Sequence, residues 1–249
     1  MKLHQAEVVA RELLGDSVLL SYRWAGKSAA PGQFVVVRVA EPLTSLDPFL
    51  NRPFFVHDLQ DSIVTLFFEV RGRGTKLLAQ VEDEIFVSAP LGQGFRLDEE
   101  GPVALVGSGA GASPLGLVSK QLAWRDVAHD VYLTMTKHQS EGRDRLLALF
   151  PQARLVRTEE EAPDNRQPPI FLGELDRYAA IYASGPGPLL GAVRNAADSV
   201  SCQLAVQERM ACANGSCYGC AVPVWKSGAR TYLRACIEGP VFPAEVLAW

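Results

Sequence analysis

The chain has 249 residues, enough for two domains of ordinary size with a small appendage and too many for one compact core. Its 48% hydrophobic content, 21% charged content and formal net charge of -4 are those of an ordinary globular protein and mark no polyanion binder, so nucleic acid is not an expected partner. The amino-terminal MKLHQAEVVARELLGD interleaves charges with its apolar residues and no run approaches about eighteen apolar residues, so a cytoplasmic location without membrane attachment is expected.

From Ala6 to Val87 short strands alternate with turns. SVLLSYRW (17–24), QFVVVRVA (33–40) and SIVTLFFEV (62–70) are rich in β-branched and aromatic residues, and the connecting AGKSAAPG and EPLTSLDP are rich in turn formers. A small antiparallel barrel is predicted over residues 1–98. One helix should interrupt it, because GTKLLAQV (74–81) sets Leu77, Leu78 and Val81 at helical spacing behind a Thr75 placed to cap it.

Near Pro102 the pattern changes. PVALVG (102–107) is a short apolar run ending in glycine, and the following SGAGASPLGLVSKQLAW turns helical past Pro114. Strand, glycine turn and helix make a βα unit. The pattern recurs in HDVYLTM (129–135) before GRDRLLALF, in QARLVR before an acidic loop, and in AAIYASG (179–185) before PGPLLGAVRNAAD. An open parallel α/β sheet is predicted over 99–200, with TEEEAPDNRQPP (158–169) a polar loop within it.

The last segment, 201–249, holds the cysteines. Cys212-x4-Cys217-x2-Cys220 fits the plant-type run that wraps a [2Fe-2S] cluster, and Cys236 is the candidate fourth ligand. Ala213, Asn214, Gly215, Ser216 and Gly219 let the backbone approach an inorganic core closely. Structural zinc also takes four thiolates, usually as two C-x2-C knuckles, and one knuckle is present here. Cys202 stands apart and reads as a small buried hydrophobe. For electrons to leave, the loop around Cys217 must reach the surface, so Tyr218, Pro223 and Val224 are expected to form an exposed apolar patch.

Two weaker signals lie upstream. NRPFF (51–55) gathers a cation and two aromatics, and GRGT (72–75) offers glycine amides at a helix start, where phosphate binds readily. GSGAGASP (107–114) has glycines at 107, 109 and 111 that would let a pyrophosphate approach the backbone, and SGPGP (184–188) is the corresponding turn after a later strand. Surface ion pairing for Arg52, core packing for Phe54 and Phe55 and plain turns for the glycines are the alternative readings.

In this order, NRPFF and GRGT, GSGAGASP and SGPGP, then ERMACANGSCYGC and RACIEGPVF, the chain resembles over nearly its whole length the electron-transfer subunits of B-type dihydroorotate dehydrogenases, within the larger ferredoxin reductase group. The resemblance implies a multi-domain β plus α/β fold: an FAD-binding barrel, a parallel-sheet domain that meets NAD(H) as a diffusible substrate, and a small [2Fe-2S] domain. It implies cluster ligation by Cys212, Cys217, Cys220 and Cys236. Arg52 and Pro53 match the family's flavin motif, Gly74 and Thr75 match its pair near the FAD pyrophosphate, and Phe68, Glu69 and Val70 occupy the strand beside the flavin. Gly107, Gly109, Gly111 and Pro114, with Gly185 and Pro186, correspond to the nucleotide turns. Phe55 stands where the family has Ser or Thr, which removes a side-chain hydrogen bond to the flavin edge. Glu69 stands where a basic residue is common, which sets negative charge near an anionic cofactor. Ala112 and Ser113 replace bulkier family residues.

The implied activity is electron transfer in pyrimidine biosynthesis between NAD and an FMN-containing dihydroorotate dehydrogenase catalytic subunit, in a heterotetramer built from two of each chain. Related flavin and iron-sulfur subunits serve hydrogenases, sulfide dehydrogenases and ferredoxin:NAD(P) oxidoreductases, which keeps the partner open. A reading of another class is a zinc-stabilised interaction module on a reductase scaffold that has lost its flavin.

Overall fold

The computed structural model describes residues 1–40, 47–135, 143–157, 175–197 and 199–249. The expected turn EPLTSLDP lies mostly, and the polar loop 158–169 wholly, outside the described residues. No described helix is long and apolar enough to cross a membrane.

Six strands close the first unit: β1 (Leu3–Leu14), β2 (Ser17–Arg23), β3 (Phe34–Arg38), β4 (Arg52–Gln60), β5 (Ile63–Glu69) and β6 (Glu84–Ser88). They form a closed antiparallel barrel in the order β1-β2-β5-β4-β3-β6, with β6 returning to β1. Period-two alternation sends Val18, Leu20 and Tyr22 of β2 and Val64, Leu66 and Phe68 of β5 into the barrel core. In β3 both faces are covered, so every residue from Phe34 to Val37 is buried. Val35 and Val37 fill the barrel, while Phe34 and Val36 point out of it into a core shared with the rest of the chain.

The interrupting helix, α1 (Arg73–Leu78), starts one residue before the predicted segment and is capped differently. Gly72 occupies the cap position and Thr75 lies three residues inside the helix. The Thr75 Oγ1 accepts the amides of Arg71 and Gly72, each at 3.0 Å, and donates to the Gly72 carbonyl at 2.9 Å. The amides of the cap residue and of the residue before it are thus satisfied from within the first turn.

The second unit is built from β7 (Val103–Ser108), α2 (Ser113–Trp124), β8 (His129–Met135), α3 (Arg143–Leu149), β9 (Ala153–Arg157), β10 (Ala180–Ser184), α4 (Gly187–Ala197) and β11 (Ser201–Ala205). The order β11-β10-β7-β8-β9 is parallel throughout. From β7 the chain adds β8 and β9 on one side, then returns to add β10 and β11 on the other. The crevice between the carboxyl ends of β7 and β10 is therefore the topological switch point, where open α/β sheets take their ligands.

The expected boundary at residue 200 falls just before β11, which pairs along its whole length with β10. The last segment does not fold away from this sheet either. After the hairpin of β12 (Ala221–Lys226) and β13 (Ala229–Arg234), the strand β14 (Val241–Pro243) returns to pair antiparallel with β11. A segment this short buries too little apolar surface alone. Its Cys220, Val222, Val224, Cys236 and Leu247 instead join Phe34 and Val36 of the barrel and Ile181 and Ala183 of the sheet in one core.

Candidate functional site

A cleft of about 340 Å³ opens where β4 and β5 face the glycine turn after β7. Arg52, Pro53, Phe54, Phe55, Phe68, Glu69 and Thr75 line it, as does Gly111, so the barrel motifs and the nucleotide turn meet in one place. Phe54 and Phe68 stack with ring centroids 4.5 Å apart. The Arg52 guanidinium lies against the start of α1, donates to the Leu50 carbonyl, and occupies space that only glycine leaves free: a Cβ on Gly74 would sit 2.1 Å from its Nε. The buried Oδ1 of Asn51 has no hydrogen-bond partner among the described residues. An arginine on a glycine cradle beside an aromatic-lined cleft fits a planar cofactor with a phosphate tail such as FAD. Val70 does not line the cleft; its side chain packs against the barrel core and its amide donates to Asp16 at 2.7 Å.

Glu69, where the sequence sets negative charge near the cofactor, is paired with Arg71. Arg71 donates from Nε to the Glu69 carboxylate at 2.6 Å, and this pair sits at the cleft wall with Glu69 only 12% exposed in its side chain. Phe55 reaches both of the cores that flank the cleft, so its bulk joins barrel to sheet where a smaller hydroxyl residue would leave space.

The two glycine turns stand side by side at the switch point. Ser184 pairs with Gly107, and a Cβ on Gly111 would lie 3.0 Å from the Gly185 Cα and 2.9 Å from Gln207 Nε2. Gly109 takes a positive φ of 49° and opens a short 3-10 turn that ends at Ala112. Pro114 is buried in the first turn of α2, and Pro186 precedes α4, with Leu190 donating to its carbonyl at 3.2 Å. The Ser184 Oγ is fully buried with no partner among the described residues. Close backbone approach without side chains suits a dinucleotide pyrophosphate.

The four cysteines follow the cleft-lining Gln207 to Met210 in the chain. Cys217 is exposed and Cys212 half-buried, whereas Cys220 and Cys236 are buried at 2% and 1%. The loop curls by placing Ala213, Gly215 and Tyr218 at positive φ of 51°, 83° and 55°, a conformation that costs energy at the two non-glycine positions. Its amides consequently face sulfur: Cys217 N–H donates to Cys212 Sγ at 3.4 Å and Gly219 N–H to Cys217 Sγ at 3.3 Å.

The thiols associate in two pairs, Cys212 with Cys217 and Cys220 with Cys236. Partial desolvation opposes ionisation of Cys212, but hydrogen bonds from Asn214, Ser216 and Cys217 outweigh it and bring its pKa down to about 6. Burial, with the neighbouring Cys220, pushes Cys236 up to about 12. Among the described residues no three Cys, His, Asp or Glu side chains are gathered to hold a single ion. The C-x4-C-x2-C loop with amides aimed at sulfur is the arrangement that wraps a [2Fe-2S] cluster. Cys202 is buried in the sheet core with its thiol pushed up to about 12 by desolvation, as a packing residue should be.

The expected exposed patch needs correction at Val224, which is 1% exposed because strand parity turns Val222 and Val224 inward together. The outward positions of the hairpin are Trp225 and Tyr232, which with Tyr218 and Ile237 form the exposed apolar residues of this end. Sequence reasoning also missed Arg71 and Gln207 to Met210 as cleft residues. ERMAC leads into the cluster loop in sequence, but its position against β4 and β5 depends on where β11 ends, which no local pattern signals.

Residues 207–248 match the family model for the iron-sulfur cluster binding domain of dihydroorotate dehydrogenase B. A protein of Caldanaerobacter subterraneus subsp. tengcongensis named dihydroorotate dehydrogenase B (NAD(+)), electron transfer subunit, is 32% identical over 253 residues, spanning 97% of this chain and 96% of its own length. Its namesake in Bacillus caldolyticus is 33% identical over 250 residues, at 95% of each chain. Among solved structures, an NADH-dependent reduced ferredoxin-NADP oxidoreductase superposes with a TM-score of 0.75 at 24% identity, over 98% of this chain and 90% of that one. The ferredoxin reductase of carbazole 1,9a-dioxygenase superposes at 0.60 with 21% identity, over 80% of this chain and 66% of that one. These structural likenesses show the fold, and the full-length relatives show more: the chain belongs to the family of dihydroorotate dehydrogenase B electron transfer subunits.

Proposed function

We propose that the chain carries electrons between a dihydroorotate dehydrogenase catalytic subunit and NAD, with FAD in the cleft between barrel and sheet, NAD(H) at the paired glycine turns, and a [2Fe-2S] cluster on Cys212, Cys217, Cys220 and Cys236. The observation that carries this reading is continuity. Gln207 to Met210 line the cleft, and the cluster loop begins two residues later at Cys212, so one short stretch of backbone touches both cofactor sites.

When bound, FAD exchanges a hydride with nicotinamide and passes electrons singly to the iron-sulfur cluster. The residues supply order and position. Arg52, seated on Gly74, meets the phosphate side, and Phe54 and Phe68 provide the apolar wall. Gly111 and Gly185 admit the nicotinamide dinucleotide at the switch point, on the side of the cleft opposite the barrel. Cys217 brings the cluster to the surface, and the exposed Tyr218 next to it, with Ile237 exposed next to Cys236, gives the catalytic partner apolar contacts there. The pyrimidine chemistry belongs to that partner, an FMN-bearing chain in a heterotetramer.

The test is a visible spectrum of protein purified without oxygen, with iron and flavin assayed on the same sample. Flavin bands with a broad iron-sulfur shoulder, two irons and one FAD per chain are expected. Zinc in place of iron with no flavin would overturn the reading in favour of an interaction module.

A further inference from the structure

Arg234 ties the turn that carries Cys236 to the loop that carries Cys217, alongside a hydrogen bond from the Gly215 amide to the Cys236 sulfur. Arg234 donates from Nη1 to the Gly215 carbonyl at 3.0 Å and from Nε to the Glu238 carboxylate at 3.1 Å, and a second Glu238 oxygen takes its other nitrogen. Its own amide donates to Glu238 at 2.7 Å. Its carbonyl accepts the amides of Ile237, Glu238 and Gly239, which wraps the chain around Cys236. The guanidinium also lies over the Tyr218 ring, 5.1 Å from its centroid. The fit is close on the loop side, where a Cβ on Gly215 would meet Arg234 Nη1 at 3.0 Å and Ile237 Cγ1 at 2.8 Å.

We propose that Arg234 is a positioning residue for the iron-sulfur centre, which clasps the exposed loop onto the buried Cys220 and Cys236 pair and holds a permanent cation beside the thiolates. The proposal rests on the cluster reading given above. Its physical content has two parts. Anchoring the Gly215 carbonyl fixes the peptide planes that aim the Cys217 and Gly219 amides at sulfur, and such outer-shell partners typically govern metal retention. A guanidinium stays charged at any accessible pH, and a fixed positive charge favours the reduced, more negative cluster over the oxidised one. A lysine could keep the charge but not the fork that binds Glu238 and Gly215 together.

The two parts separate experimentally in the full chain. Arg234→Gln should lose iron to excess EDTA about ten- to hundredfold faster than wild type and shift the cluster midpoint potential to a more negative value. Arg234→Lys should also lose iron faster yet keep a potential close to wild type. Should Arg234→Gln yield no cluster-bearing protein, Glu238→Gln carries the test, because it leaves the cation and loosens its tether; faster iron loss supports the clasp. Wild-type rates of iron loss and a wild-type potential in Arg234→Gln, or an unchanged rate in Glu238→Gln, would overturn the role of Arg234 alone. A wild-type chain without iron would instead overturn the cluster reading on which it rests.

Discussion

At Gly74 the missing side chain is a requirement of space. The guanidinium of Arg52, a cleft-lining residue, fills the position where a Cβ would stand and would have to move to admit one. Gly74→Ala should therefore displace Arg52 and cost a charge-assisted contact to the cofactor phosphates, worth about 1.5–3 kcal/mol. The expected outcome is FAD affinity weakened about ten- to hundredfold, read by fluorescence on rebinding to deflavinated protein, with the melting temperature of the flavin-free chain little changed. The neighbouring Glu69 has the opposite lesson. Its negative charge is visible in the sequence, but its neutralisation by Arg71 depends on both side chains leaving the strand end on the same side. Residue identity shows the negative charge, and only the structure shows the cation that pairs with it.

Among the elements, β4 and α2 form the joint on which the cleft depends. His57 of β4 is buried among Phe67 and Phe150, and its Nδ1–H donates to the Ser113 carbonyl at 2.9 Å, at the start of α2. Gly116 leaves the imidazole its space, since a Cβ there would meet the ring at 2.5 Å. Further along, Lys120 of α2 pairs with Asp58 at 2.8 Å and donates to Gln60 at 3.1 Å. Desolvation holds the His57 pKa below its ordinary 6.5, against smaller opposing effects of the Ser113 contact and Asp58. The unfolded chain consequently binds more protons at this position than the folded one in the window between the depressed folded value and 6.5. Stability from this group is complete above that pH and declines as acidification approaches the depressed folded value, by up to about 1.4 kcal/mol per pH unit. Denaturant melts from pH 7.5 to 5 should show this decline, and His57→Gln should flatten it. A parallel decline in the variant would assign the acid sensitivity elsewhere.

For the whole molecule, what could be read from sequence was whatever local chemistry dictates. The β-branched runs of β2, β3 and β5, the glycine turns and the cysteine spacing each carry their reason within a few residues. The long β1 carries no clear strand pattern because it lies largely exposed, with polar and apolar residues mixed along it. The return of β14 to β11, and the inward face of Val224, were hidden because both are settled by partners distant in sequence. That same nonlocal docking makes the cluster cysteines unequal. Cys217 stands on the surface of its loop, while Cys236 lies in the core that joins barrel, sheet and hairpin. Cys217→Ala should abolish cluster-dependent transfer to the partner while leaving reduction of a dye by NADH through the flavin, because the hydride step takes place across the cleft. Cys236→Ala should lose the cluster and also lower the melting temperature, since it opens space in a core on which all three units draw. Equal effects of the two substitutions on dye reduction and melting would show that the cluster, rather than the shared core, holds this end of the fold together.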